Sequence, residues 1–318
     1  PVAEHSHDSD LFAPGLGRAT RLTCAVPSTT ATSLTSIGCG SAPGSHGVVG
    51  YSFLDPDRGC VVNALTWAGG PADVEGFACE PTLYQRMRSR GVTSGCVSLA
   101  RFKDSGLQRL AFGGAEHLGV EKEGDHRAFV SLVVEALRDH EVVYAYERSL
   151  DHSGHAHGVG SWQWLGALGR AEELVADLVT TLPYDTCLLV TGDHGMINVD
   201  ATQILDVAST PALRDGVRII AGETRAVHVH AEEGRADEVE ARWRDVLGES
   251  AWVVSGDDIS TLIGAGDGAS VIGDFLVLAR GRGGVVDSRT QSASAIAMPG
   301  VHGSLTSTEM RIPVIVLS

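Results

Sequence analysis

Short apolar runs alternate with longer segments of helical periodicity along most of the chain. The apolar runs are bounded by glycine, proline or charged residues, which is typical of buried strands. They are Arg21–Val26, Ser94–Leu99, Val142–Glu147, Thr186–Thr191 and Ile312–Leu317. Apolar residues spaced three and four apart predict helices over Pro81–Arg90, Asp125–His140 and Ser161–Leu182. The alternation predicts an α/β fold, a mostly parallel sheet with helices on both faces.

The pattern changes after Gly195. Residues 200–299 have glycine-rich connections and one charged helical segment, Ala236–Leu247, among strand-like runs at Val217–Ile220, Ala226–His230 and Phe275–Ala279. We therefore predict a smaller α+β cap over residues 200–299, inserted into a catalytic core of residues 1–199 and 300–318. Within the core, Gly47–Trp67 predicts a β-hairpin that turns at residues 55–59.

Composition limits the partners. No run of about 18 apolar residues occurs, so no membrane span is predicted. The formal net charge of −16 argues against long nucleic acids, because successive phosphates need a basic surface. A small phosphorylated substrate remains compatible, since bound divalent cations make a pocket locally positive. The oligomeric state stays open.

The six cysteines are scattered and form no CxxC pair, which argues against a thiolate zinc site. Cys96 and Cys187 lie in apolar runs and are predicted to be buried thiols. The even number leaves disulfides among the other cysteines as an alternative. The first residues show no charged and then apolar signal segment, so the cytoplasm is the expected compartment.

Two Asp and His pairs follow predicted strands. Asp193 and His194 come directly after the run that ends at Thr191, at the edge of the sheet where α/β proteins bind ligands. Asp151 and His155 follow the run that ends at Glu147, and their spacing lets both converge on one metal across a tight turn. Carboxylate and imidazole suit zinc or manganese. A solvated turn and a histidine-rich surface loop are the alternatives, and His152 and His157 are not assigned as ligands.

Two further elements have weaker individual signals. His302 lies in a loop that leads into the last predicted strand, in a position that matches the two Asp and His pairs. Residues 26–38 pass from a strand through Pro27 into a hydroxyl-rich helix, whose N-terminal backbone N–H groups favour a phosphoryl group. An ordinary helix cap is the alternative for this segment.

Taken in order, these motifs resemble those of the type I nucleotide pyrophosphatase/phosphodiesterase family of the alkaline phosphatase superfamily. The motifs are Pro27-Ser28-Thr29-Thr30, Ser45-His46-Gly47-Val48, Asp151-x-x-Gly-His155, Asp193-His194-Gly195-Met196 and His302-Gly303. They extend over nearly the whole chain outside the predicted cap. The Cys-x-Pro-x-Arg motif of the related sulfatases does not occur in the sequence, which disfavours sulfate esters.

The resemblance implies two divalent metal ions, zinc or alternatively manganese. Asp151, His155 and His302 are expected to bind one ion, and Asp193 and His194 the other. The implied nucleophile is Thr30, which lies sixteen residues before His46, the family interval. The implied activity is hydrolysis of small phosphate diesters such as nucleotide derivatives, through a phosphothreonine intermediate.

The sequence departs from the family at two places. Many members have an asparagine shortly after Ser-His-Gly that binds a phosphate oxygen, and the corresponding residue here is Tyr51. Tyr51 and Asn63 are therefore the expected substrate-binding residues. The family also has an Asp ligand well before the nucleophile. We expect this Asp upstream of Pro1, with Asp8 and Asp10 as possible substitutes.

Two alternatives to a phosphodiesterase follow from these departures. A phosphomonoesterase or phosphonate hydrolase would add a cation for the extra charge, and Arg58, Arg101 and Lys103 are the nearest candidates in sequence. An inactive relative that acts as a binding protein is favoured if the additional Asp is truly missing.

Overall fold

The structure, a computed structural model, describes residues 19–77 and 80–317. Its strands are β1 (Thr20–Thr23), β2 (Ser52–Asp55), β3 (Cys60–Asn63), β4 (Ser94–Leu99), β5 (Glu116–Val120), β6 (Val142–Ala145), β7 (Leu188–Thr191), β8 (Ile197–Asn198), β9 (Ile204–Asp206), β10 (Val217–Glu223), β11 (Ala226–Ala231), β12 (Ala251–Ser255), β13 (Phe275–Ala279), β14 (Gly284–Val286), β15 (Gly300–Val301) and β16 (Arg311–Leu317). Its α-helices are α1 (Thr30–Cys39), α2 (Pro43–His46), α3 (Val74–Phe77), α4 (Leu83–Arg88), α5 (Gly106–Phe112), α6 (His126–Asp139), α7 (Ser149–His157), α8 (Trp162–Thr181), α9 (Pro211–Arg214), α10 (Ala236–Leu247), α11 (Asp257–Ile263), α12 (Ala293–Ile296) and α13 (Ser307–Met310).

A parallel sheet of order β5-β4-β6 forms one part of the α/β structure. Its central strand β4 is buried along its whole length, as expected for a strand with helices or loops on both faces. Val97 of β4 packs against Phe129 and Val133 of α6, and Leu174 and Leu178 of α8 join the same cluster. Mixed α/β structure is present as predicted, and the three strands of this sheet pair in parallel.

The last strand departs from the expected parallel arrangement. Strand β16 lies between β1 and β7 and runs antiparallel to both. The chain enters β16 directly from the short helix α13, at the end of the sheet where β7 stops. Parallel pairing with β7 would require a crossover connection to the other end of the sheet, so β16 runs antiparallel to β7. Parallel pairing therefore describes only part of the sheet structure.

A four-stranded antiparallel sheet of order β10-β11-β13-β12 occupies residues 217–279. Strands β10, β11 and β13 and the helix α10 agree with the predicted elements, whereas β12 was not predicted. Alternate residues of its strands face opposite sides. On one side Val229 and Phe275 pack against Trp243 of α10. On the other side Leu276 and Leu278 join the cluster that contains residues of α1 and β2. The inserted segment thus shares a hydrophobic core with buried residues that lie between Ala31 and Phe112, and its description as a separate cap stays a prediction.

The smaller predicted elements are also present. Strands β2 and β3 form the expected hairpin, with Asp55 paired to Cys60 across the turn. Helices α4, α6 and α8 lie inside the three predicted helical segments. Their N-caps Thr82, Asp125 and Ser161 each accept a hydrogen bond from a first-turn backbone N–H, which explains where these helices begin.

The cysteine predictions are partly wrong. Cys96 is buried in β4 as predicted, but Cys187 is exposed. Cys187 immediately precedes β7, which is an edge strand of its sheet, so an apolar flanking sequence does not bury this thiol. The cysteines in the described part of the chain are Cys24, Cys39, Cys60, Cys96 and Cys187, and all are free thiols.

Within residues 19–77 and 80–317, no helix is both long enough and apolar enough to span a membrane.

Candidate metal centre and nucleophile

Asp151 and His155 lie on helix α7, one turn apart. We expected a tight turn here from the sequence. These residues instead lie in a helix, on which residues four apart share a face. The Asp151 Oδ1 atom lies 3.4 Å from Nε2 of His155. The intervening Gly154 permits close packing of α7, because a Cβ at this position would lie 2.3 Å from the Met196 sulfur. The predicted pair is therefore brought together by helical geometry.

His302 approaches this pair from the end of β15. Its Nε2 atom lies 3.2 Å from Nε2 of His155 and 3.8 Å from Oδ1 of Asp151. The potential ligand atoms of Asp151, His155 and His302 all lie within 4.8 Å of one another. Within residues 19–77 and 80–317, these three are the group of donor side chains that could hold a metal ion.

Backbone carbonyls set the orientation of these imidazoles. Nδ1 of His155 lies 2.8 Å from the Gly300 oxygen, and Nδ1 of His302 lies 2.9 Å from the Ser28 oxygen. Because a carbonyl only accepts, each Nδ1 is the donor, and the Nε2 lone pair is left for the centre. Burial, followed by the neighbouring His194 and His155, lowers the pKa of His302 well below its ordinary value. His302 is thus held in the neutral form that binds metals.

Asp193 and His194 follow β7, and Thr30 faces them from the first turn of α1. Nε2 of His194 lies 2.9 Å from the Thr30 hydroxyl oxygen and 3.6 Å from Oδ2 of Asp193. The rings of His194 and His302 stack, with centroids 3.8 Å apart, so the two halves of the site are contiguous. Gly195 is required by close packing, because a Cβ there would lie 1.8 Å from the Thr308 oxygen.

The donor set passes a simple chemical test for metal binding. Asp151 Oδ1 and Asp193 Oδ2 are buried and accept no hydrogen bond from the protein. Buried carboxylate oxygens without partners are costly, and native proteins pair them with a donor or a cation. Two imidazoles that face each other through Nε2 lone pairs need the same compensation. Mixed nitrogen and oxygen donors of this kind suit zinc, and also manganese.

Sequence reasoning missed Tyr146. Its phenol lies near the Thr30 hydroxyl. Burial, followed by the charges of Asp193 and Asp151, raises its pKa well above the ordinary value, so the phenol keeps its proton. The available signal was its position directly after β6, which is where α/β sheets place ligand-binding residues.

Sequence reasoning also missed Glu223, at the end of β10 in the inserted segment. Its Oε2 atom lies 3.6 Å from Nδ1 of His302, and its Oε1 atom is buried without a hydrogen-bond partner. Burial raises its pKa well above the ordinary value; the Thr29 hydroxyl opposes this, while the charges of Glu309 and Asp151 add to it. No local motif marks this residue, because only the tertiary position of β10 brings it to the site.

The two predicted substrate-binding residues have different surroundings. Tyr51 is 39% exposed, and its backbone lies near the Glu223 carboxyl group beside the site. The side-chain oxygen of Asn63 instead accepts the backbone N–H groups of Leu65 and Thr66, each at 3.0 Å. Asn63 therefore stabilises a turn after β3, and its amide N–H groups are what remain for a substrate.

The cations considered for a monoesterase lie in other settings. Arg101 donates to Glu123 at 2.6 Å, and Arg58 follows Asp55 in the β2–β3 turn. Lys103 lies near His117. Burial, followed by the positive charge of Lys103, lowers the pKa of that imidazole. His152, which was left unassigned, contacts Glu123 at 2.9 Å. Asp8 and Asp10, the substitutes for the additional ligand, lie outside the described residues.

At the candidate site a hydroxyl at a helix N-terminus faces Asp and His side chains that follow a strand. The chain belongs to the type I phosphodiesterase/nucleotide pyrophosphatase family, whose model matches residues 9–305. It is a hydrolase that acts on phosphoric ester bonds. A search of curated proteins finds none that matches.

Several solved structures share this fold at low sequence identity. Human ectonucleotide pyrophosphatase/phosphodiesterase 5 is 15% identical, with a TM-score of 0.73 over 92% of this chain and 77% of its own. The inactive threonine-to-alanine variant of the murine protein, in complex with AMP, is 14% identical, with a TM-score of 0.74 over 95% of this chain and 82% of its own. Phosphonoacetate hydrolase from Sinorhizobium meliloti 1021, in complex with phosphonoformate, is 17% identical, with a TM-score of 0.75 over 99% of this chain and 85% of its own.

Proposed function

We propose that the chain is a metal-dependent phosphodiesterase that cleaves small phosphate diesters, such as nucleotide derivatives, with Thr30 as its nucleophile. The observation that carries the proposal is the Thr30 hydroxyl at the start of α1, 2.9 Å from Nε2 of His194. The murine relative offers an analogy, because a threonine-to-alanine variant of that protein is described as inactive.

The metal-binding roles follow the donor groups. Asp151, His155 and His302 would hold one divalent cation, and Asp193 and His194 would hold a second. Zinc matches the mixed donors best, and manganese is the alternative. When bound, the two cations supply Lewis-acid stabilisation of charge on the attacking and leaving oxygens.

The chain's own residues supply the nucleophile and its surroundings. The Thr30 hydroxyl loses its proton to solvent and its oxygen attacks phosphorus. The bond to the leaving oxygen breaks, that oxygen departs with the bonding electron pair and takes a proton from solvent, and a phosphothreonine results. Backbone N–H groups in the first turn of α1 face the phosphoryl oxygens, while the Tyr146 phenol orients the Thr30 oxygen. Water then hydrolyses the phosphothreonine and returns the Thr30 hydroxyl.

Two observations on charge favour diesters over monoesters. A monoester carries one more negative charge, and Arg101 already pairs with Glu123. The two predicted Asp ligands add carboxylates around the reaction centre, whereas the raised pKa of Glu223 favours its neutral acid form. We further propose that residues 200–299 act as a cap that contacts the leaving group, since this segment delivers Glu223 to the site.

A substrate panel with added zinc or manganese tests the proposal. A nitrophenyl nucleotide diester should have a higher kcat/KM than the matching nitrophenyl monoester and than phosphonoacetate. A preference for the monoester would identify a phosphatase, and a preference for phosphonoacetate would identify a phosphonate hydrolase. No turnover of any of the three with either metal would favour an inactive binding relative.

A further inference from the structure

A fully buried ion pair lies behind the candidate site. Arg225 belongs to the turn that joins β10 and β11, and Glu309 lies in α13, 84 residues later. Both side chains are completely excluded from solvent. The guanidinium donates to both carboxylate oxygens, from Nε at 3.1 Å and from Nη2 at 2.8 Å. Such a bidentate geometry fixes both distance and direction between two segments that are remote in sequence.

The pair is connected to the loop that carries His302. The Glu309 Oε1 atom accepts the backbone N–H of Ser304 at 3.0 Å, two residues after His302. The backbone oxygen of Ser304 in turn accepts the hydroxyl of Ser28 at 2.7 Å. The backbone oxygen of Ser28 lies 2.9 Å from Nδ1 of His302. A displacement of Glu309 would therefore be transmitted to the imidazole through three hydrogen bonds.

The same glutamate is connected to the loop that carries His194. Its backbone oxygen accepts the N–H of Gly195 at 2.6 Å, and the Gly195 oxygen faces Nδ1 of His194 at 2.8 Å. On the other side, Arg225 donates from Nη1 to the backbone oxygen of Gly283. The Glu309 carboxylate thus contacts the His302 loop and the Glu309 backbone contacts the His194 loop, while the ion pair links Glu309 to Arg225 of the inserted segment.

We propose that Arg225 and Glu309 are positioning residues, which hold the His194 and His302 loops at the separation that two cations require. Neither residue touches the reaction centre, and the inference rests on the proposed metal centre. Buried charges are expensive to desolvate, so a merely adhesive contact here could equally be apolar. Here the carboxylate accepts the Ser304 N–H and the guanidinium donates to the Gly283 oxygen, and these directional contacts give the geometric precision that metal ligands need.

Zinc affinity of the folded protein tests this role without relying on turnover. The double variant R225M/E309Q removes both charges together, so no unpaired charge stays buried, and glutamine keeps an acceptor for Ser304. Zinc affinity, measured by competition with a chelator, should fall by about 10-fold or more, the usual effect of losing an outer partner of a metal ligand. R225K keeps the charge but loses the bidentate fork, so it should give an intermediate affinity.

The exposed pair of Arg244 and Glu240 on α10 supplies the matched control. R244M/E240Q should bind zinc like the parent protein. All variants are compared below their unfolding temperatures, as followed by circular dichroism. If the double variant does not fold, R225K, which keeps both charges, is used for the same comparison.

The outcomes separate the two proposals. Unchanged zinc affinity in a folded R225M/E309Q or R225K variant would overturn the positioning role while leaving the proposed function intact. A parent protein that binds no zinc or manganese would overturn both.

Discussion

The Thr30 hydroxyl oxygen and Nε2 of His194 lie 2.9 Å apart, although 164 residues separate them in the sequence. Two local structures create this contact. Thr30 is the first residue of α1, and His194 follows the end of β7. The nucleophile that we propose therefore faces the less complete half of the predicted metal centre, and the predictions below follow from that arrangement.

Removal of His302 should disrupt one metal site selectively. His302→Ala takes one neutral imidazole from the group with Asp151 and His155, so the zinc content should fall to about one ion per chain. His152→Ala, on the same helix as Asp151 but directed to Glu123, is the control and should keep the parental content. Metal analysis after removal of free zinc measures the effect. Two tightly retained ions in His302→Ala would show that this ligand assignment is wrong.

The two halves of the centre should bind zinc unequally. Asp151, His155 and His302 present three converging donors, while Asp193 and His194 present two, so the first group should bind more tightly. Zinc titration should show a tighter phase that disappears in Asp151→Asn and a weaker phase that disappears in Asp193→Asn. Two phases of equal affinity, or loss of the tighter phase in Asp193→Asn, would reverse this order.

Stability of the metal-free protein should fall in mild acid. Burial lowers the pKa of His46 and His230 to about 4 and that of His228 to about 3, from an ordinary value of 6.5. A depressed pKa means that the unfolded state binds the proton more tightly. Each group therefore contributes stability above pH 6.5 that is lost as the pH falls towards the folded-state value, on the order of 3 kcal/mol per histidine.

Urea unfolding at about pH 7 and about pH 5, with chelator present, measures this loss. His228→Gln should reduce the difference in unfolding free energy between the two pH values, because one titrating group is gone. The exposed His157→Gln is the matched control and should leave that difference unchanged. Equal pH dependence in all three proteins would mean that His228 is not buried in its neutral form.

Some helices could be predicted because their signals lie within a short stretch of sequence. Helices α4, α6 and α8 could be predicted because apolar spacing and N-caps are local signals. The Asp151 and His155 pair was predicted with the wrong backbone, since a spacing of four fits both a turn and a helix. The residues that converge at the site could be selected only through the family resemblance, because spacing alone does not reveal contacts between distant segments.

Other features depend on tertiary structure and leave no local signal. Glu223 reaches His302 only because the sheet of the inserted segment packs onto α1 and β2. The exposure of Cys187 follows from the edge position of β7, which hydrophobicity does not encode. Likewise, the antiparallel direction of β16 follows from where the His302 loop ends.

The most direct test of the account is turnover of a nitrophenyl nucleotide diester, with zinc present, by Thr30→Ala and Thr30→Ser. Thr30→Ala should lower kcat by at least ~10³-fold at normal zinc content and unfolding temperature, because the attacking oxygen is lost while the metal ligands remain. Thr30→Ser keeps a hydroxyl at the start of α1 and should retain much more activity. Near-parental turnover by a folded, zinc-loaded Thr30→Ala protein would contradict the proposed nucleophile.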